Sequence, residues 1–184
     1  VYLMLSNTVG GAVLFENSNV IMTAGNELEA VDMYRGDNWR SAEFGHMVIH
    51  PGGRTCYCGK KGCFEKYASM KALKTNLRDA LGLDENTRGQ ELLDMLRKNK
   101  DNYVINKIVD EYIEYLSIGI SNLIDVFEPE AVCLGGSFVY FADVLLEKLK
   151  NNIQRKKYLF NIRKELIIIP AALGNDAGII GSCQ

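Results

Sequence analysis

Apolar and polar residues alternate in short blocks at the start of the chain. Three runs rich in Val, Ile, Leu and Phe occupy residues 1–5, 11–15 and 20–24, and turn-forming residues such as Asn, Ser and Gly separate them. Short apolar runs at this spacing are typical of strands joined by turns. The pattern predicts an antiparallel strand meander, followed by a loop over residues 25–45, which are polar and rich in Gly, Asn and Asp.

From residue 65 the apolar positions recur at steps of three and four. This spacing predicts a helix over residues 65–81, which ends before a glycine, and a shorter helix over residues 88–98. The clearest helix covers residues 104–127, where the apolar residues form one continuous stripe that ends before a Glu-Pro pair.

The last third of the chain alternates between the two patterns. Strands are predicted at residues 131–134 and 165–169, and helices at residues 141–153 and 177–180. Alternating strands and helices favour parallel strands that are covered by helices. We therefore expect an α/β fold with a mixed sheet, in one domain over residues 1–184 without repeats or a linker.

Composition and charge narrow the classes of function. A content of 47% hydrophobic and 24% charged residues is ordinary for a globular domain. The longest apolar run is far shorter than the roughly 20 residues of a membrane span. The net charge of −2 lacks the basic excess that nucleic-acid binding requires. We therefore expect neither a membrane segment nor direct nucleic-acid binding by this chain.

Three of the five cysteines and both histidines lie in one short segment. Cys56, Cys58 and Cys63 offer three thiolates, and the glycines between them let the loop turn tightly enough for the sulfurs to converge. A fourth ligand is available from His46 or from His50, and spacing alone does not choose between them. The cluster predicts a metal site, and this ligand set favours structural zinc.

Two other interpretations of the cysteines stay open at this point. The thiols are free side chains in a glycine-rich loop, or they form a redox site, although a redox site prefers a Cys-x-x-Cys pair at a helix start. An odd number of clustered cysteines does not suit the disulfide framework of a secreted protein. A reducing, cytoplasmic environment is therefore expected.

The cysteine segment resembles the signature of the ROK family, which groups bacterial sugar kinases with sugar-responsive repressors. It contains Glu-Phe-Gly-His at residues 43–46 and Cys-Tyr-Cys-Gly-Lys-Lys-Gly-Cys-Phe-Glu at residues 56–65. The resemblance implies four ligands for one zinc ion, and it selects His46 over His50. These ligands are His46, Cys56, Cys58 and Cys63.

The same resemblance implies that Glu43, His46 and Glu65 contact the hydroxyl groups of a bound monosaccharide. Carboxylates accept paired hydrogen bonds from neighbouring hydroxyls, and an imidazole with one nitrogen on a metal presents its other N–H in a fixed tautomer. Two plainer interpretations stay open. Glu43 is then a solvent-exposed loop charge, and Glu65 is a charge that favours the N-terminus of a helix.

In fold, the resemblance implies a lobe of the actin-like ATPase (ribonuclease H-like) type, with the zinc loop inserted at about residues 43–65. Two glycine pairs, Gly10-Gly11 between predicted strands and Gly135-Gly136 between a strand and a helix, then correspond to turns that bind nucleotide. Backbone N–H groups at such turns approach phosphates and adenosine, so ATP with Mg²⁺ is implied if the protein is a kinase. Residues 172–178 also match the end of the family's sequence.

One departure from the family affects the nucleotide prediction. The family's phosphate loop has glycines where this chain has Ser6 and Thr8. Each substitution adds a Cβ where a phosphate would approach the backbone, which argues against tight ATP binding. The hydroxyls of Ser6 and Thr8 are nevertheless able to donate hydrogen bonds.

The resemblance also implies that the catalytic base is outside this chain. Phosphoryl transfer to a sugar needs a carboxylate base, and the family's aspartate precedes the segment that corresponds to residue 1. The chain opens inside a predicted strand, so we expect an N-terminal lobe that this chain lacks. No catalytic residue is therefore expected within residues 1–184.

The first functional interpretation is the C-terminal lobe of a ROK sugar kinase that phosphorylates a hexose or amino sugar with ATP. The alternative is the sugar-sensing lobe of a ROK repressor, which binds sugar and catalyses nothing. A zinc-stabilised interaction domain without sugar binding is a third hypothesis. The resemblance further implies contact with the N-terminal lobe and a homodimer.

Overall fold

The structure is a computed structural model that describes residues 1–16, 31–38, 40–155 and 166–172. Its strands are β1 (Tyr2–Leu5), β2 (Val9–Ala12), β3 (Leu14–Glu16), β4 (Val31–Met33), β5 (Ala131–Gly135) and β6 (Ile167–Pro170). Within these residues four strands form a mixed sheet in the order β2-β1-β5-β6. β1 pairs antiparallel with β2 and parallel with β5, and β5 pairs parallel with β6. The predicted mixed α/β sheet is confirmed.

The helices follow the apolar stripes of the sequence. They are α1 (Glu65–Ala68), α2 (Met70–Leu81), α3 (Gly89–Lys98), α4 (Tyr103–Phe127) and α5 (Ala142–Arg155), with 3₁₀ turns at Phe44–His46 and Gly136–Phe141. α4 begins where the side chain of Asn102 accepts a hydrogen bond from the backbone N–H of Ile105. Among the described residues, no helix is long and apolar enough to cross a membrane.

One face of the sheet meets the helices. Alternate residues of the strands are buried on this face, because successive side chains of a strand point to opposite sides. They join the apolar stripes of α2, α4 and α5 in one hydrophobic core. The strand residues in this core are Leu3, Leu5, Val9, Val132, Leu134 and Ile168.

The predicted meander is wrong in two respects. The predicted strand at 11–15 is divided at Val13, whose side chain is buried and whose carbonyl accepts a hydrogen bond from the backbone N–H of Tyr34 at 2.9 Å. β3 consequently pairs with β4 in a separate sheet, and β4 lies where a loop was predicted. The predictions at 20–24 and 177–180 fall outside the described residues.

The predicted helix over residues 65–81 is interrupted at Ser69. This residue has extended backbone angles, φ −71° and ψ 154°, and its hydroxyl accepts a hydrogen bond from the N–H of Ala72 at 3.1 Å. A serine that caps a new helix satisfies a backbone donor that an uninterrupted helix would not leave free. The chain therefore changes direction between Glu65 and the start of α2.

Candidate functional site

The cysteine loop turns at two glycines. Gly59 and Gly62 have φ of +89° and +84°, a conformation that residues with a side chain rarely adopt. A Cβ on Gly62 would also collide with the backbone carbonyl of His50. A backbone hydrogen bond from the N–H of Cys56 to the carbonyl of Lys60, at 2.9 Å, closes the turn. The tight turn predicted from the glycines is confirmed.

The turn brings four possible metal ligands together. The ligand atoms of His46, Cys56, Cys58 and Cys63 all lie within 4.8 Å of one another. The sulfurs of Cys58 and Cys63 are 3.5 Å apart, and Nδ1 of His46 is 3.6 Å from the sulfur of Cys56. Ligand atoms about 2.1–2.3 Å from a tetrahedral metal are separated by roughly 3.5–3.8 Å. Two separations match this geometry, and the upper bound of 4.8 Å for the whole group means that a small approach of the ligands would let the cluster hold one metal ion.

The environments of the three thiols differ. Burial raises the pKa of the Cys63 thiol to about 12 and also raises the pKa of Cys56. Cys58 is exposed, and a hydrogen bond from the backbone N–H of Lys60 lowers its pKa. Since a thiol must lose its proton to bind a metal, ion binding at this cluster releases protons.

His50 lies apart from the metal ligands. Its Nδ1 is 3.1 Å from the hydroxyl of Tyr115 on α4, and its ring stacks on Tyr67 with centroids 5.3 Å apart. Within the part of the chain that the structure describes, the metal-ligand group contains His46 and does not contain His50. His50 instead joins the cysteine loop to the long helix.

The two predicted sugar-contacting glutamates flank the metal-ligand residues in the sequence and differ in burial. Glu65 begins α1 and is only 5% exposed, and its Oε1 accepts a hydrogen bond from the Cys56 thiol at 3.2 Å. Glu43 is exposed and immediately precedes the 3₁₀ turn that carries His46. A buried carboxylate held by a cysteine is more constrained than the simple helix-terminal charge that the sequence left open for Glu65.

Tyr57 is a residue of this site that the sequence argument missed. Its hydroxyl lies 3.1 Å from Nε2 of His46, and Glu65 raises its pKa most, with a smaller contribution from Glu43. The signal in the sequence is an aromatic residue between two metal-binding cysteines, where a small polar residue would complete the turn equally well.

A cleft extends away from this cluster. It has a volume of about 480 Å³, and Tyr57 and Glu65 lie on its wall together with Asn7 and Thr8 of the turn after β1. Lys71, near the start of α2, also lines it. The cysteine loop and the turn at residues 6–8 therefore share one opening.

The first glycine pair is not where the sequence placed it. Gly10 and Gly11 lie inside β2, opposite Met4 and Leu3 of β1, and the turn consists of residues 6–8. Position 11 needs a glycine because a Cβ there would collide with the ring of Phe44. The glycines therefore serve strand packing, and their nucleotide role stays a prediction.

The second glycine pair lies between a strand and a 3₁₀ turn that leads into α5, where the sequence predicted a strand followed directly by a helix. Gly135 ends β5, and Gly136 begins the turn with φ of +69°. A Cβ on Gly136 would lie 2.5 Å from the hydroxyl oxygen of Ser6. The two predicted nucleotide elements thus approach each other closely.

Ser6 connects these two elements. Its hydroxyl accepts a hydrogen bond from the backbone N–H of Ser137 at 3.1 Å and lies 3.3 Å from the hydroxyl of Ser137. Its carbonyl accepts a hydrogen bond from the N–H of Lys71 at 3.2 Å. Ser6 is therefore a structural link between β1, the turn after β5 and α2.

Comparisons with known proteins agree on one family. The model of the ROK family matches residues 1–184. The xylose repressor of Bacillus spizizenii is 28% identical over 181 residues, which are 98% of this chain and 42% of that protein. The glucokinase of Streptomyces coelicolor is 30% identical over 164 residues, which are 82% of this chain and 51% of that protein. The chain thus spans about half the length of these relatives.

Solved structures of ROK proteins are also similar to this chain. The ROK hexokinase of Thermus thermophilus has a TM-score of 0.70 at 26% identity, covering 98% of this chain and 54% of that one. A ROK glucokinase from Streptomyces griseus, solved with glucose and AMPPNP, has a TM-score of 0.77 at 24% identity, covering 98% of this chain and 58% of that one. The second likeness concerns the fold alone.

Proposed function

Because this chain belongs to the ROK family over its full length, we propose that it is the C-terminal, sugar-binding lobe of a ROK protein. In this proposal the fold is the actin-like ATPase type, and the remainder of the protein supplies an N-terminal lobe. One relative is named a xylose repressor and another a glucokinase, so the proposed ligand is a monosaccharide. Association into a homodimer stays a prediction.

The metal in this proposal is zinc. Three sulfurs and one imidazole nitrogen form a closed tetrahedral set, which is typical of structural zinc and leaves no position for a reactive water. The proposed ligands are His46, Cys56, Cys58 and Cys63. Zinc at this site neutralises the buried thiolates and fixes the loop that carries Tyr57.

The proposed sugar contacts come from Glu43, His46 and Glu65. As a metal ligand Cys56 is a thiolate and has no proton to donate, so Oε1 of Glu65 is left to accept a hydrogen bond from a sugar hydroxyl. With Nδ1 of His46 directed at the sulfurs, its Nε2–H is the remaining donor. One donor and two carboxylates suit neighbouring hydroxyl groups.

We favour sugar sensing over phosphorylation, and the contact between Ser6 and Ser137 carries this choice. A turn that binds phosphate or adenosine needs free backbone N–H groups. Here the hydroxyl of Ser6 already accepts the N–H of Ser137, 3.1 Å away. The side chain also occupies space between the turns that a glycine would leave open. This is the arrangement expected of a lobe that reads sugar without ATP.

A sugar kinase is the second candidate, and one observation favours it. The cleft reaches from Glu65 to Asn7 and Thr8, so a sugar and a nucleotide phosphate would share one opening. In this alternative ATP and Mg²⁺ would bind near Gly10, Gly11, Gly135 and Gly136. The base that accepts the hydroxyl proton would come from the N-terminal lobe.

Sugar binding is tested by Glu65→Gln in the zinc-loaded full-length protein. Calorimetry with D-glucose and with D-xylose should show binding by the parent and a loss of about tenfold or more in the variant, because a charged acceptor is replaced by an amide. Glu85→Gln, at an exposed loop position between α2 and α3, is the matched control. Unchanged affinity of Glu65→Gln for a sugar that the parent binds would refute the proposed sugar site.

Sensing and phosphorylation are separated by incubating the full-length protein with the bound sugar and ATP–Mg²⁺. We expect no sugar phosphate above the background without protein, and no calorimetric binding of AMPPNP. Stoichiometric AMPPNP binding together with sugar phosphate formation would replace sensing by the kinase alternative.

A further inference from the structure

Tyr57 occupies an unusual position for an aromatic side chain. It lies between Cys56, which is buried, and Cys58, and the loop holds its ring out so that 75% of the residue is exposed. Burying an aromatic ring is normally favourable, so the fold itself gains little from a tyrosine here. The ring stands instead at the mouth of the cleft that Glu65 lines.

The hydroxyl of Tyr57 is held by the imidazole of the metal cluster. It lies 3.1 Å from Nε2 of His46, and the two rings meet edge to face with centroids 5.1 Å apart. Nδ1 of the same imidazole points to the sulfur of Cys56 at 3.6 Å. When Nδ1 is a metal ligand the proton is on Nε2, so His46 donates and the tyrosine hydroxyl accepts.

A bound sugar and the hydroxyl of Tyr57 therefore compete for one hydrogen-bond donor, the Nε2–H of His46. Nε2–H of His46 has a single proton, which is bonded either to Tyr57 or to a sugar hydroxyl.

We propose that Tyr57 is a further sugar-contacting residue, whose ring forms a platform for the apolar face of the sugar and whose hydroxyl occupies His46 until a sugar hydroxyl replaces it. This inference rests on the proposed sugar site. The C–H groups on one face of a pyranose are apolar and pack favourably against an aromatic ring. The ring thus favours binding, whereas the hydroxyl opposes it.

Two substitutions separate the ring from the hydroxyl. Tyr57→Phe keeps the platform and frees Nε2–H of His46, so the dissociation constant for D-glucose or D-xylose should fall about two- to tenfold. Tyr57→Ala removes both groups, and the lost ring contact should raise the dissociation constant above that of Tyr57→Phe by about tenfold or more. The measurement is calorimetry on the zinc-loaded full-length protein, with zinc content determined for each variant.

Tighter binding by Tyr57→Phe than by the parent, together with binding by Tyr57→Ala about tenfold or more weaker than by Tyr57→Phe, supports the proposal when the zinc content of both variants equals that of the parent. Equal affinities of the parent and both variants, or weaker binding by Tyr57→Phe, overturn it. Glu65→Gln separates the role of Tyr57 from the sugar site itself. If that variant loses sugar while both Tyr57 variants bind like the parent, the role of Tyr57 fails and the sugar site stands; if it binds like the parent, the sugar site itself fails.

Discussion

The hydroxyl of Ser6 accepts a hydrogen bond from the backbone N–H of Ser137, 3.1 Å away, across a gap of 131 residues in sequence. This contact joins the end of β1 to the turn that follows β5, the neighbouring parallel strand. The turns after parallel neighbouring strands lie at the same edge of a sheet, so a short side chain is able to reach across. The hydroxyl of Ser6 is thus committed to an internal contact at this edge of the sheet.

The stabilising effect of this contact is measurable. Ser6→Ala should lower the free energy of unfolding by about 1 kcal/mol, because the N–H of Ser137 loses its partner in a half-buried place. Ser137→Ala is the matched control, since it keeps the backbone N–H and should cost clearly less. Urea unfolding of both variants with unchanged m values gives the comparison, and equal losses would show that the N–H bond is unimportant.

Metal binding should depend on the clustered cysteines and should not depend on Cys133. Cys63→Ser removes a buried ligand, so the purified protein should lose its zinc and unfold at a lower temperature. Cys133→Ser, in β5, should retain zinc because this cysteine is not in the ligand group. Elemental analysis and thermal unfolding of the two variants are the measurements. Zinc retained by Cys63→Ser at the parent's level would contradict the site.

Substitutions of the two histidines should have different effects on zinc binding. His46→Ala removes the nitrogen ligand and should weaken zinc at least about tenfold in competition with a chelator. His50→Ala should leave zinc affinity unchanged and lower stability by about 1 kcal/mol, since it loses the hydrogen bond to Tyr115. The reverse pattern would assign the fourth ligand to His50.

Ala42, next to Glu43, should be a strained position. Its φ is +60°, a left-handed conformation that costs a residue with a Cβ about 1–2 kcal/mol. Ala42→Gly should therefore raise the free energy of unfolding by about 1 kcal/mol. Ala80→Gly, in the last turn of α2, is the same chemical change and should lower it by a few tenths to about 1 kcal/mol. Denaturant unfolding measures both changes in the free energy of unfolding. Strain at Ala42 would be contradicted if both substitutions changed this free energy in the same direction.

Gly119 should be essential to the packing of the cysteine loop on α4. A Cβ on this residue would collide with the ring of Phe64, which is fully buried beside Cys63. Gly119→Ala should therefore destabilise the protein by about 1–3 kcal/mol despite the better helix propensity of alanine. Gly89→Ala, where the Cβ would meet the end of the flexible Lys74 side chain, should be neutral or stabilising. Thermal unfolding of this pair tests the packing, and a neutral Gly119→Ala would contradict it.

Much of the fold follows from local pattern. The stripe that predicts a helix over residues 104–127 was strong enough to place α4 within one residue of its observed start. The helices at 88–98 and 141–153 and the strand at 131–134 also appear, because their apolar spacing agrees with the face that they bury. The glycines of the cysteine loop have the positive φ that their positions indicated.

The errors occur where a local rule competes with a tertiary contact. Ser69 interrupts an apolar pattern that continues through it, because its hydroxyl caps α2. Gly10 and Gly11 suggest a turn, yet β1 pairs with them and the turn falls at residues 6–8. β4 has only three residues and lies within a polar segment, and its pairing with β3 is a non-local contact.

The sequence by itself determined the ligand types, their convergence on one loop and the family, because all three depend on residue identity at fixed short spacings. Spacing alone could not choose between His46 and His50, since both are within reach of the cysteines along the chain, and only the resemblance to the family favoured His46. Only the tertiary structure showed that His50 contacts Tyr115 of α4, that Tyr57 contacts His46 and that Ser6 contacts Ser137. These contacts depend on how distant segments pack, and packing is set by the whole core rather than by any local pattern.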